Sequence, residues 1–228
     1  MKIVTWNVNS IRARSERVLR WLEKETPDVV CLQELKGPEE AFPFDEIRDV
    51  GYCAVVQGQK TYNGVAILSR EEPTDVLRGL NDGLDDSQAR LVAASIGGVQ
   101  VVSAYIPNGQ TVGSEKWTYK LEWLDRLQEY LKRRWKPTEN LLVCGDFNVV
   151  RDDLDAANPD QWADTVLCHP DVRNAWNSIC QWGLVDVFRE QVPEGGVYSW
   201  WDYRMLGFQK NNGLRIDHIL ATEPMAER

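Results

Sequence analysis

The chain has 228 residues, 43% hydrophobic and 27% charged, which suits a soluble globular protein of one large domain or two small ones. No apolar run reaches the length of a membrane span, and MKIVTWNV lacks the basic and apolar regions of a secretory signal, so a cytoplasmic protein is expected. The balance of 26 basic against 35 acidic residues, net −9 with a pI near 4.9, argues by itself against a nucleic-acid binder. A carboxylate-based metal site adds acid, however, and leaves room for a local basic face. The five cysteines, Cys31, Cys53, Cys144, Cys168 and Cys180, form no C-x-x-C pair, and with two histidines they argue against zinc. Cys31 and Cys144 lie in apolar runs and read as core thiols of a reducing compartment.

Taken in chain order, KIVTWNV (2–8) predicts a first strand. Residues 10–25, with Ile11, Val18 and Leu22 on one side, predict a helix. DVVCLQE (28–34) and GVAILSR (64–70) predict two further strands. RLVAASI (90–96) and VQVVSAYI (99–106) are parted by Gly97-Gly98, a hairpin signal, so part of the sheet is antiparallel. Residues 114–135 carry Trp117, Leu121, Leu124, Leu131 and Trp135 at helical spacing, with Ser114 as the cap. NLLVCGDFN (140–148) predicts a strand, and the acidic stretch 149–165 a loop. Residues 170–182 predict a helix stopped by Gly183, and RIDHILA (215–221) a last strand. No repeat or low-complexity linker interrupts the chain, which points to one α/β domain of mixed sheets.

Several of these apolar runs end on acids or amides. WNVN puts Asn7 and Asn9 two apart, VVCLQE ends on Glu34, LLVCGDFN ends with Asp146 and Asn148, and Asp217 follows Ile216. Any one of these is ordinarily a turn or cap residue. Together, at the carboxyl ends of strands in an open α/β fold, their oxygens suit a hard cation such as Mg²⁺.

The motifs WNVNSIRAR, LQE, YIPNG, GDFN, SWWDYR and GLRID, in this order, resemble exonuclease III and the abasic-site endonucleases of the endonuclease/exonuclease/phosphatase superfamily. The likeness covers essentially the whole chain. It implies a DNase I-like, four-layered α/β sandwich, two packed mixed β-sheets flanked by helices. It also implies Mg²⁺-dependent hydrolysis of DNA 5′ to abasic sites (Mn²⁺ as a substitute), with 3′-5′ exonuclease and 3′-phosphatase activities. Double-stranded DNA with abasic sites or 3′ ends would be the partner, and the protein a monomer. Residue by residue, the likeness makes Glu34 the principal metal carboxylate, helped by Asn7 and Asn9. Asn7 also orients catalytic groups, and Tyr105 puts its hydroxyl at the scissile phosphate. Asn108 contacts phosphate, and Asp146 either activates the water or protonates the leaving oxygen. Asn148 positions Asp146. Trp200 would form one wall of a pocket for the extruded, base-less sugar, with Leu214 and Ile216 opposite and Arg204 reaching for phosphate.

In this family the aspartate matched by Asp217 pairs with the histidine of a later S-D-H motif. No S-D-H follows here, so the expectation is one domain over 1–228 cut short at its C-terminus, without the final strand. His218 is no substitute, because neighbours on a strand point to opposite faces: if Asp217 faces the site, His218 faces away. His169 reads as a helix-entry residue. Two other readings stand beside the repair nuclease. One is a superfamily phosphatase or phosphodiesterase acting on another phosphoester, favoured by the acidic pI. The other is a catalytically impaired, DNA-binding fragment, favoured by the missing S-D-H.

Overall fold

The computed structural model describes residues 1–84 and 86–228. Two β-sheets lie face to face with helices on both outer faces. In the first sheet β1 (Ile3–Asn7) runs parallel to β2 (Val29–Gln33). β3 (Cys53–Gln57) and β4 (Val65–Ser69) complete it in the order β1-β2-β4-β3, both of these pairings antiparallel. Helices α1 (Ile11–Glu25) and α2 (Phe44–Asp49) cover its outer face. Val18 and Leu22 of α1 are fully buried there. Truncating either to Ala would cost about 2–5 kcal/mol.

The second sheet has the order β5-β6-β7-β8-β12-β9. Its strands are β5 (Thr74–Arg78), β6 (Leu91–Ile96), β7 (Val99–Tyr105), β8 (Leu141–Asp146), β9 (Leu184–Asp186) and β12 (Asp217–Thr222). A two-stranded ribbon, β10 (Trp200–Trp201) with β11 (Gly213–Leu214), stands apart from it. Helices α3 (Glu115–Arg134) and α5 (Pro170–Gln181) cover the outer face, with α4 (Pro159–Trp162), α6 (Val187–Gln191) and α7 (Glu223–Ala226) as short connecting pieces. Small and β-branched side chains fill much of the space between the sheets, among them Val29, Cys31, Ile67, Ala94, Val101 and Cys144. Four layers result, helix, sheet, sheet, helix. No helix among the described residues is long and apolar enough to cross a membrane.

The local signals act as expected in several places. Gly97 and Gly98 both have positive φ, 57° and 79°, as a tight hairpin between β6 and β7 requires. Ser114 Oγ accepts from the Trp117 N–H at the start of α3. His169 caps α5, its Nδ1 accepting from the Asp171 N–H. Three expectations need correction. RIDHILA is not one strand, because the chain breaks at Arg215 and Ile216 between β11 and β12. The 149–165 loop contains a 3₁₀ turn at Asp153–Asp155 and α4. Strands β3, β5 and β9 escaped notice, being short or polar on one face.

Candidate active site

Two parallel pairs bring the polar residues together. β1 and β2 run in the same direction, so Asn7 and Glu34 emerge at one edge of the first sheet. β7 and β8 do the same in the second sheet, where Tyr105 lies opposite Asp146 in register. β12 runs antiparallel to β8 and begins where β8 ends, pairing Asp217 with Asp146. The two edges face one another. Asn7 Nδ2 donates to Glu34 Oε1 and to Asp146 Oδ2, each at 2.8 Å, and so joins the sheets. Tyr105 Oη donates to Glu34 Oε1 at 2.9 Å. Asn148 donates its backbone N–H to Asp146 Oδ1 at 2.9 Å, and its amide oxygen accepts from Asn108 Nδ2 at 3.2 Å.

Asn9 and Asn148 reach these positions by a route the spacing did not indicate. The strands end at Asn7 and Asp146, before either residue. Asn9, Ser10, Glu34, Lys36 and Asn148 all have positive φ, between 43° and 88°. Left-handed backbone at five non-glycine residues around one cleft is strain held by the surrounding structure, as functional sites often show.

Burial separates the carboxylates. Asp146 is almost fully buried, and its pKa is pushed up to about 6 by loss of water, against the hydrogen bonds from Asn7 and Asn148. Asp217 is driven well above the usual carboxylate range, first by burial and then by the charge of Asp146. Its Oδ1 is buried without a hydrogen-bond partner among the described residues. Glu34 goes the other way: burial opposes it, but hydrogen bonds from Asn7 and Lys36 leave its pKa lowered. Burial, and then the charges of Glu34 and Asp146, push the Tyr105 hydroxyl far upward, so it remains a donor. Lys120 of α3 is wholly buried behind the site, and burial lowers its ammonium to about 7.

Glu34 Oε2 and Asn9 Oδ1 converge on one positive group, the ammonium of Lys36, at 2.7 and 2.5 Å. Two hard oxygens that already share a cationic partner fit Mg²⁺, which keeps most of its waters and takes one or two protein carboxylates. No three His, Cys, Asp or Glu among the described residues are grouped to hold a metal by themselves. The expectation that Asn7 is a ligand needs correction: its amide nitrogen faces the carboxylates, and its Oδ1 accepts from the Asn9 N–H at 3.0 Å. Asn7 therefore holds the carboxylates in place.

A cleft of about 510 Å³ opens above these groups, lined by Asn7, Asn9, Glu34, Asp146, Ile216 and Asp217 and walled by aromatic side chains. Trp200 lines it as expected, packed edge-on against Trp162 with ring centroids 5.9 Å apart. Trp201, the next residue of SWWDYR, lines it too, and so do Trp6 and Phe208, which were missed because isolated aromatics look like core residues. Leu214 and Arg204 do not line it. Leu214 is fully buried behind the wall, pairing with Trp200 across the ribbon. Arg204 is exposed, its nearest carboxylate being Asp202 at 3.9 Å. Asn108 lies on the far side of Tyr105, in a neighbouring groove with Arg90, Gln110 and Lys116.

His218 points away from the cleft, as strand alternation requires. It is buried between Phe147 and Trp176, with Nε2 2.8 Å from the Val149 carbonyl. Burial, with the charge of Arg215, lowers its pKa to about 4, so it is neutral at pH 7. Replacing His218 with Ala is expected to cost about 2–4 kcal/mol of stability and to leave kcat within about threefold. Thermal melts and steady-state rates check this; a folded variant with kcat down tenfold or more would put His218 back in the chemistry.

A two-sheet sandwich with opposed carboxylates and amides at one rim defines a phosphoester hydrolase. Residues 4–228 match the Endonuclease/Exonuclease/phosphatase family, and the chain belongs to it. Exodeoxyribonuclease III of Haemophilus influenzae is 36% identical over 240 residues, covering all of this chain and 90% of that protein. The structure of an AP endonuclease from Archaeoglobus fulgidus superposes with a TM-score of 0.97 at 42% identity, covering 100% of this chain and 89% of that one. A 3′ phosphatase from Neisseria, bound to a product DNA hairpin, follows at 0.95 and 41%, covering 100% and 88%.

Proposed function

We propose that this chain is a Mg²⁺-dependent DNA-repair nuclease. It would cleave the phosphodiester 5′ to an abasic site in duplex DNA, and remove nucleotides or phosphate from 3′ ends at the same centre. The observation that carries the reading is the convergence of Asn7, Glu34, Tyr105, Asp146 and Asp217 beneath an aromatic-walled cleft. The likeness to an exodeoxyribonuclease, an AP endonuclease and a 3′ phosphatase supports this choice of substrate.

Asp146 is the general base. Both its oxygens accept hydrogen bonds, from Asn7 and from the Asn148 N–H, which favours the carboxylate above about pH 6. Asp217 is pushed well above the usual carboxylate range by burial and then by the charge of Asp146, so charge on Asp146 opposes charge on its neighbour. Tyr105, a permanent donor, stands beside Glu34 to meet charge developing on the phosphate. Glu34 and Asn9 would hold the cation, which when bound neutralises phosphate charge and acidifies water. Trp200, Trp201 and Ile216 make a cleft that a bare deoxyribose enters and a sugar with its base does not.

The test is incubation of the full chain with an abasic duplex and Mg²⁺, with an EDTA control. Nicking only with metal, and much faster than hydrolysis of small phosphoesters, is expected. An intact duplex would sink the proposal. The net charge of −9 favours a second reading, a superfamily enzyme for a small or non-DNA phosphoester, and a reversed preference would establish it.

A further inference from the structure

Lys120 projects from the middle of α3 into the interior and is fully buried, although lysine is almost never buried unless paired. Its partners are not carboxylates. Nζ donates to three backbone carbonyls, Asn108 at 3.1 Å, Asn148 at 2.6 Å and Val166 at 2.7 Å. These belong to three separate segments: the loop after β7, the loop after β8 and the turn before α5. The first two carry the amides of Asn108 and Asn148, which bond one another beside Asp146.

The consequence runs through Asn148. Its backbone is left-handed, with φ 50°, a strained state for a residue with a side chain. That kink turns its N–H onto Asp146 Oδ1 and its amide oxygen toward Asn108, while its Nδ2 donates to the Ile106 carbonyl at 3.0 Å. A buried donor on the Asn148 carbonyl, 2.6 Å away, opposes relaxation of the kink. The same nitrogen holds the Asn108 carbonyl, so the two amides keep their 3.2 Å contact. The fit is close: a side chain at Gly109 would meet Lys120 Cδ at 3.0 Å.

We infer that Lys120 is a positioning residue, a three-way tie that sets the loops of Asn108 and Asn148 and through them the orientation of Asp146. It touches no substrate. The catalytic part of this inference rests on the nuclease reading; the structural part does not.

Lys120→Met keeps the length and apolar stem and removes the donors. Two measurements separate the inference from its foundation. The first is amide hydrogen exchange on full-length protein without DNA. Expected is exchange at least tenfold faster for the Asn148 N–H, with the buried face of α3 from Trp123 to Leu131 unchanged. Unchanged protection of Asn148, or a uniform loss across α3, overturns the tie. The second is kinetics on the abasic duplex with the wild type as reference. Expected is kcat down tenfold or more with KM within threefold, and substantial recovery in Lys120→Arg. A folded Lys120→Met with wild-type kcat overturns the positioning role. If the wild type itself does not cleave, the nuclease reading fails while the exchange result still decides the tie. Should Lys120→Met not fold, Lys120→Gln, with one shorter donor amide, carries the same measurements.

Discussion

Asp146→Asn is expected to lower kcat/KM on an abasic duplex by about 10³-fold while leaving the fold intact, in line with loss of a general base. The replacement is nearly isosteric, so the position between Asn7 and Asn148 is kept while the ability to take a proton is lost. One amide N–H must then face another donor, because both carboxylate oxygens are acceptors in the native site. The wild-type kcat/KM should rise about tenfold per pH unit on the acid side and level off at or above about pH 6. Stability has the opposite sign. A carboxyl whose folded pKa is raised from 3.8 to about 6 binds its proton more tightly in the native state. Its contribution is full below about pH 4 and is lost as pH rises through about 6. For a group only 4% exposed the change is on the order of 3 kcal/mol. Asp146→Asn should remove that pH-dependent part of the melting curve. An unchanged rate in a folded variant would take the base role from Asp146, and an unchanged pH dependence of melting would take the perturbed carboxyl from it.

Asp155→Ala is expected to be the most destabilising single change outside the apolar core, at about 3–5 kcal/mol, or a fall in Tm on the order of 10 °C. Asp155 is fully buried in the turn after β8. Its two oxygens accept from Arg215 Nε and Nη2, each at 2.7 Å, and it also pairs with Arg189. Arg215 reaches on to Asp186 at 2.6 Å. Four charged groups lie together under the wall of the cleft, where removing one leaves the others desolvated and unbalanced. Arg215 sits between Leu214 and Ile216, and its backbone N–H is given to the Asp155 carbonyl at 2.8 Å. The loss should therefore also loosen Ile216 and raise KM for abasic DNA. Calorimetry and steady-state kinetics read both effects, and a loss under about 1 kcal/mol would mean water compensates the arginines.

Much of the fold could be read from the sequence because apolar runs of strand length carry their own periodicity and Gly97-Gly98 marks its own turn. The site was legible in part for the same reason: Asn7, Glu34, Asp146 and Asp217 interrupt or end apolar runs, where polar residues are conspicuous. What stayed hidden depends on distance in three dimensions. Lys36 and Lys120 look like ordinary surface lysines, and nothing local shows that one meets Glu34 and the other three carbonyls. Leu214 was misplaced because the break at Arg215 and Ile216 changes which side chains face the cleft. Asn9 and Asn148 lie past the ends of their strands, in left-handed backbone where the two-residue alternation of a strand no longer applies.

Asn7 and Glu34 ride on one sheet, and Tyr105, Asp146 and Asp217 on the other. The bonds from Asn7 to Asp146 and from Tyr105 to Glu34, 2.8 and 2.9 Å, therefore cross the seam between layers that could otherwise slide. A slip of ~1 Å would open both at once, a misplacement on the order of 10²-fold in rate. The filling of that seam, with Cys31, Ala94, Cys144 and Ala221 among its smallest members, acts as a shim whose thickness sets the gap between Asp146 and Glu34. Residues that never see solvent thus adjust the chemistry as a machinist adjusts a bearing, and drift in such a family can retune its rate without touching any residue at the rim.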